Sequence, residues 1–182
     1  MDKKIVVFAA NECSPEKEKY YYSLAYQTGK LLAKAGFITV TGGGPGLMNE
    51  VSRGAYEAGG RTIGICLDVP GRKHSEFLTE KNMYYELNVR QERLLEMADG
   101  FISLPGGIGT LYEVVAVLAL KRKGDLDRKK PLILVDTIYD HLDKLLEVLQ
   151  ENGLMGREVR SYYSMVKTAE EAIKLISEYF NT

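Results

Sequence analysis

The fold is decided by residues 100–121, GFISLPGGIGTLYEVVAVLALK. Residues 100–104 predict a short strand, and a loop that contains three glycines follows it. Residues 110–121 predict a helix that is apolar on most sides, so we expect it to be buried near the centre of the molecule. A strand, a glycine loop and a helix in this order are typical of a βαβ unit.

The same alternation of strands and helices continues on both sides of this stretch. Further strands are predicted at residues 5–10, 37–41, 61–67, 83–87, 131–135 and 163–166. Further helices are predicted at residues 15–35, 47–58, 90–98, 139–150 and 169–180. Ser14 and Pro15 are suited to the start of the first of these helices, and Gly36 to its end. The alternation predicts one domain, residues 1–182, with an α/β, Rossmann-like fold: a doubly wound, mainly parallel sheet with helices on both faces.

Composition and charge exclude several classes of protein. The formal net charge is −1, which gives no overall field to attract nucleic acid or an acidic membrane. The basic residues near 121–130 are interrupted by acidic ones and predict a solvated helix end. The first apolar run is too short for a signal peptide or a membrane span, and the two cysteines, Cys13 and Cys66, form no disulfide framework. We therefore expect a cytoplasmic protein.

Two glycine-rich loops each follow a predicted strand and precede a predicted helix. They are GGGPG at residues 42–46 and PGGIGT at residues 105–110. Glycine lets a ligand approach the backbone, and the amides at the start of the next helix favour an anion, so a phosphate is the natural ligand. Neither loop is a Walker A sequence or a GxGxxG fingerprint, which makes a nicotinamide-dependent oxidoreductase the weakest hypothesis.

Two charged residues lie in positions where they could serve such a ligand. Glu113 lies three residues beyond Thr110, which places both on one face of the predicted helix. Its spacing is equally consistent with a glutamate that only stabilises the first helical turn. Arg90 lies at the start of the preceding predicted helix, where a solvated helix face is the alternative. His74 and His141 share no ligand spacing, so we assign no metal.

Two of these segments resemble a known family. The stretch LPGGIGTLYE at residues 104–113 resembles the PGGxGTxxE motif of the LOG ("Lonely guy") family, whose members are often labelled possible lysine decarboxylases. GGGPGLM at residues 42–48 resembles the family's GGGxxGLM segment, and Arg90 falls where the family has the arginine of an Arg-Lys pair. The resemblance extends from the first predicted strand to the helix after residue 135.

The resemblance implies a nucleoside 5′-monophosphate phosphoribohydrolase. Such an enzyme cleaves the N-glycosidic bond of AMP or of a cytokinin riboside monophosphate and releases free base and ribose 5-phosphate, without metal or organic cofactor. The implied catalytic residues are Glu113, beside the ribose, and Arg90, which would orient Glu113 or polarise the substrate. The implied substrate-binding residues are Gly42, Gly43, Gly44, Gly46, Met48, Gln91, Pro105, Gly106, Gly107, Ile108, Gly109 and Thr110.

The chain departs from the family pattern in two places. Gln91 replaces the lysine of the Arg-Lys pair, and Ala9, Ala10 and Asn11 replace a loop that is commonly GSS-like. The second departure leaves the preferred base open. No lysine lies in or next to either glycine loop, which argues against a decarboxylase with a pyridoxal phosphate Schiff base.

Two properties of the molecule follow as further expectations. A non-catalytic nucleotide carrier or sensor is the alternative to the enzyme, because a fold does not fix a function. A homodimer is expected from the resemblance and from the apolar helix around residues 114–120.

Overall fold

The computed structural model describes residues 3–181, so the first two residues and the last residue of the predicted domain lie outside the described part. Within this range seven strands form one parallel sheet: β1 (Lys4–Phe8), β2 (Ile38–Thr41), β3 (Thr62–Leu67), β4 (Glu80–Tyr84), β5 (Gly100–Ser103), β6 (Leu132–Val135) and β7 (Ser164–Val166). Their order in space is β4-β3-β2-β1-β5-β6-β7. The predicted parallel α/β fold is confirmed.

Helices cover both faces of this sheet. They are α1 (Pro15–Lys34), α2 (Leu47–Glu57), α3 (Leu87–Met97), α4 (Ile108–Lys123), α5 (Asp140–Glu151) and α6 (Ala169–Asn181), with short 3-10 helices at Thr137–Tyr139 and Arg157–Ser161. Apolar residues of α1, α2 and α6 pack on one face, and those of α3, α4 and α5 pack on the other. Successive residues of β1 point to opposite faces: Ile5 and Val7 join the first core, whereas Val6 and Phe8 join the second.

The sheet reverses its direction of winding at β1. The chain passes from β1 through β2 and β3 to β4 on one side, and β5, β6 and β7 then add on the other side of β1. The loops that follow β1 and β5 therefore lead away from each other at neighbouring strand ends. In open parallel sheets, ligands bind in the crevice that forms at such a point.

The structure differs from the prediction mainly around β4. We predicted a strand at residues 83–87, but β4 is Glu80–Tyr84 and pairs with β3 from Ile63↔Glu80 to Leu67↔Tyr84. It is an edge strand with largely exposed side chains, so no apolar run marks its beginning. Helix α3 consequently begins at Leu87, and Arg90 is its fourth residue rather than its first.

No helix within residues 3–181 combines the length and the apolar character that a bilayer crossing requires.

One lysine of the core has an unusual environment. Lys121, near the end of α4, is only 1% exposed, and its Nζ donates to the carbonyl oxygen of Tyr162 at 2.8 Å and to that of Lys130. Burial disfavours the charged amine and lowers the pKa of Lys121 to about 8. A buried cation bound to neutral carbonyls is tolerated at a cost in stability.

This environment predicts a specific pH dependence of stability. Between about pH 8 and pH 10.5, the unfolded chain binds a proton at Lys121 that the folded chain has lost, so the contribution of this residue to stability rises with pH. The free energy of unfolding in urea should therefore rise for the parent relative to Lys121→Met between about pH 7 and pH 10. The comparison cancels other groups, and a difference independent of pH would contradict the prediction.

Candidate functional site

A cavity of about 380 Å³ opens at the carboxyl ends of β1, β2, β3 and β5. This is the crevice next to the point where the sheet reverses, and its size is within the range of small-ligand sites. The cavity is lined by Ala9, Ala10, Asn11, Glu12, Gly42, Met48, Leu67, Arg72, Leu87, Arg90, Gly107, Ile108, Gly109, Thr110 and Glu113. Both predicted glycine loops thus contribute to one site.

Backbone hydrogen bonds lock the three loops around this cavity together. The amide of Ala10 donates to the carbonyl oxygen of Pro105 at 3.3 Å, and the amide of Leu47 donates to that of Ala10 at 3.0 Å. Gly46 has a φ of +66°, and a Cβ at this position would lie 1.9 Å from the carbonyl oxygen of Asn11. Only glycine allows the loops after β1 and β2 to approach this closely.

The loop after β5 ends at the amino terminus of α4. A Cβ on Gly106 would lie 2.1 Å from Oγ1 of Thr110, so the glycine makes room for the threonine side chain. Within the described residues, no side chain caps the start of α4. Residues 107–110, at the start of α4, line the cavity. Their backbone amides are therefore suited to bind an anion with the help of the helix dipole.

Arg90 and Glu113 form an ion pair in the wall of the cavity. Arg90 Nη1 donates to Glu113 Oε1 at 3.0 Å, and the two side chains are only 12% and 10% exposed. Arg90 Nε donates at 3.0 Å to the carbonyl oxygen of Ile65, which fixes the guanidinium between β3 and α4. Burial raises the pKa of Glu113, and the charge and hydrogen bond of Arg90 act in the opposite direction.

Gly42 makes the position of this arginine possible. A Cβ on Gly42 would lie 2.0 Å from Arg90 Nη2 and 2.9 Å from the sulfur of Met48. Gly42 is thus required to make room for the guanidinium that holds Glu113, whether or not a ligand also occupies this space.

A second layer of residues supports the loop after β5. The hydroxyl of Tyr139 donates at 2.7 Å to the carbonyl oxygen of Leu104, the residue before the loop. Asp136, which precedes this tyrosine, has a φ of +91°, and its carboxylate accepts from Ile138 N at 2.9 Å and from the Tyr20 hydroxyl at 2.7 Å. These hydrogen bonds hold a conformation that L-residues rarely adopt.

The predicted site residues divide into two groups. Those that line the cavity are Glu113, Arg90, Gly42, Met48, Gly107, Ile108, Gly109 and Thr110. Those that shape the loops behind its wall are Gly43, Gly44, Gly46, Pro105 and Gly106. Gln91 belongs to neither group: it is 4% exposed, and its amide nitrogen and oxygen have no hydrogen-bond partner within residues 3–181.

Sequence reasoning missed four residues of the cavity wall: Glu12, Leu67, Arg72 and Leu87. Leu67 ends β3, and Glu12 and Leu87 follow shortly after β1 and β4, so their position at the carboxyl edge of the sheet was the available signal. Tyr139 and Asp136 were missed as well, because their effect on the site passes through the backbone of Leu104.

The donor groups around the cavity limit its chemistry. The described residues include no group of three or more His, Cys, Asp or Glu side chains that could hold a metal ion. The cavity wall contains two arginines and two glutamates but no lysine that could form a Schiff base with pyridoxal phosphate. The arrangement is suited to bind a phosphate at one end and to present a fixed carboxylate to the rest of the ligand.

Comparisons with known proteins find relatives over most of this chain. The family model described as possible lysine decarboxylase matches residues 48–176. The chain is 30% identical to the cytokinin riboside 5′-monophosphate phosphoribohydrolase LOG3 of Arabidopsis thaliana over 97% of this chain and 83% of that protein.

Solved structures with the same fold include a structural-genomics protein and a cofactor binding protein. The structural-genomics protein TM1055 is 28% identical, with a TM-score of 0.74 over 97% of this chain and 99% of its own. The molybdenum cofactor binding protein of Rippkaea orientalis is 27% identical, with a TM-score of 0.73 over 99% of this chain and 98% of its own.

The contact between Gly42 and Arg90 predicts a non-additive effect. In Gly42→Ala, the new methyl group must displace the guanidinium and weaken its hydrogen bond to Glu113. We expect this variant to lower ligand binding or turnover by about tenfold or more, the scale of a positioning defect. On an Arg90→Met background, the same substitution should cost less than about threefold, since the guanidinium is absent and only the flexible side chain of Met48 must shift. Equal costs in the two backgrounds would exclude this role of Gly42.

Proposed function

Because this chain belongs to the LOG family, the family that the possible lysine decarboxylase model describes, we propose that it hydrolyses the N-glycosidic bond of a nucleoside 5′-monophosphate. AMP and cytokinin riboside monophosphates are the substrate types that the resemblance implies. The observation that carries the proposal is the Arg90–Glu113 pair, fixed in the wall of a cavity between two glycine loops.

Each part of the cavity has a task in this reaction. The amides at the start of α4 and the Thr110 side chain bind the 5′-phosphate. Water adds its oxygen to C1′ of the ribose while the bond from C1′ to the base nitrogen breaks. The base leaves with the bonding electron pair and gains a proton, so that the products are free base and ribose 5-phosphate. The reacting sugar acquires positive charge, which the Glu113 carboxylate stabilises.

Arg90 keeps Glu113 ready for this task. A buried carboxyl tends to take up a proton, and a protonated Glu113 could not stabilise a cationic sugar. The guanidinium at 3.0 Å favours the ionised form and leaves the second carboxylate oxygen for the substrate. The hydrogen bond to Ile65 prevents Arg90 from moving towards the phosphate.

Replacement of Glu113 tests the proposal directly. Glu113→Gln keeps the shape of the side chain but removes its charge, and we expect the release of free base from AMP and other nucleoside monophosphates to fall by at least ~10²-fold. Glu92→Gln is the matched control, because Glu92 is exposed on α3 and does not line the cavity. Base release by Glu113→Gln at the parent rate would exclude the catalytic role.

A non-catalytic nucleotide carrier on the same fold is the second candidate. The resemblance to a molybdenum cofactor binding protein at 27% identity favours it. The buried ion pair disfavours it, because a carrier that holds a phosphate needs the glycine loops but not a carboxylate fixed beside the ligand. Tight nucleotide binding without any release of base over a long incubation would decide for the carrier.

We also propose a homodimer that forms through the outer face of α4. Val114, Val117 and Leu118 are buried in the core, which accounts for part of the apolar character of this helix. Tyr112 and Val115 remain 47% and 49% exposed, at a spacing that places them on one outward face. An exposed apolar face of this kind is typical of an interface between subunits.

A charge on this face should separate the subunits. We expect light scattering to give the mass of a dimer for the parent and that of a monomer for Val115→Glu at micromolar concentration, because an unpaired charge would be buried in the interface. Glu151→Lys, an exposed change on α5, is the control and should leave the mass of the parent unaltered. A monomeric parent would contradict the proposal.

A further inference from the structure

One cation of the cavity has no part in the Arg90–Glu113 pair. Arg72 lies in the loop between β3 and β4, is partly buried and lines the cavity. Its backbone amide donates to the carbonyl oxygen of Val69 at 3.0 Å, but no hydrogen bond or ion pair of its side chain is present within residues 3–181. A guanidinium in a binding cavity without a protein partner has its five donors available for a ligand.

Arg72 belongs to the loop that follows β3, whereas the glycine loop of α4 follows β5. Strands β2 and β1 separate β3 from β5, so the strand ends that lead into these two loops are three strand spacings apart, about 14 Å. In the proposed function the phosphate lies at residues 107–110, on the β5 side of the cavity, which leaves Arg72, on the β3 side, for the rest of the ligand. The part of a nucleotide that extends furthest from its phosphate is the base.

The surroundings of Arg72 fit a base. Leu67 at the end of β3 and Met48 at the start of α2 line the same cavity, and Leu87 lies at the start of α3. These apolar side chains offer surfaces for the flat faces of a heterocycle. Arg72 then supplies polar contacts to the edge of the base.

An arginine distinguishes bases by what their edges can accept. A 6-oxopurine has two neighbouring acceptors, O6 and N7, that match the guanidinium fork, whereas adenine has an amino donor beside N7. We propose that Arg72 binds this edge of the base and that the site prefers 6-oxopurine nucleoside 5′-monophosphates to their 6-amino counterparts. Donation to O6 and N7 also stabilises the negative charge that the base acquires as it leaves. The inference rests on the proposed function and specifies its substrate class.

IMP and AMP provide the sharpest comparison, because their bases share the acceptor N7 and differ only in the group at position 6 and in the proton on N1. The kcat/KM for release of base should be about tenfold or more higher for IMP than for AMP with the parent protein. Arg72→Met should lower this ratio by about tenfold or more, towards equal values for the two nucleotides, and Arg72→Lys should lower it too, since an ammonium cannot replace the planar fork.

Lys73→Met is the matched control. Lys73 is the exposed neighbour of Arg72, does not line this cavity and carries the same charge. We expect it to leave the ratio of IMP to AMP at the parent value. An equal ratio in parent and Arg72→Met, or a loss shared equally by IMP and AMP, would overturn the proposal, because the arginine would then not contact position 6.

Binding measurements separate this proposal from the hydrolase itself. Calorimetry with IMP and AMP on the Glu113→Gln protein, with and without Arg72→Met, requires no turnover. Tighter binding of IMP that is lost with Arg72→Met supports base recognition even if no nucleotide is hydrolysed. Equal binding of IMP and AMP to the Glu113→Gln protein that retains Arg72 overturns it even if both are hydrolysed by the parent.

Discussion

The site depends on one buried contact, the hydrogen bond from Arg90 to Glu113. Both charges are almost removed from water, and each would be costly without the other: breaking one partner of a buried ion pair costs about 3–5 kcal/mol. This cost fixes the distance between α3 and α4 where they flank the cavity. It also requires the glycine at position 42, because a side chain there would occupy the space of the guanidinium.

The backbone contacts that the glycines permit hold the loops rigidly around the cavity. Close backbone approach at Gly46 and the hydrogen bonds of Ala10 to its neighbours join the loops after β1, β2 and β5 into one frame. The Tyr139 hydroxyl, bound to the Leu104 carbonyl, fixes that frame from behind. The phosphate that we propose for the start of α4 would therefore meet amides that are already in place, and little ordering entropy would oppose its binding.

The sequence predicts the parts of the site that follow from local rules. Glycines after buried strands mark the loops, and the three-residue spacing from Thr110 places Glu113 on the face that the cavity exposes. Arg72 could not be predicted this way, because residues 68–79 lack periodicity and only the pairing of the edge strand β4 brings their loop to the cavity. Gln91 shows the opposite limit. Its place next to Arg90 in sequence predicted it in the site, whereas the structure buries it in the core.

The balance of charges at Glu113 explains why the arginine is held on two sides. Burial raises the pKa of this carboxyl, and Arg90 supplies the charge that lowers it, while the neighbouring Gln91 carries none. In the proposed reaction, a bound nucleotide would exclude water and strengthen both effects, and its phosphate would compete for the guanidinium. The hydrogen bond from Arg90 Nε to Ile65 opposes that competition, because leaving β3 would strand a buried carbonyl oxygen. Burial outweighs Arg90 and leaves the pKa of Glu113 above its ordinary value, so the proposed reaction depends on Arg90 for as much as remains of the anion that a cationic sugar requires.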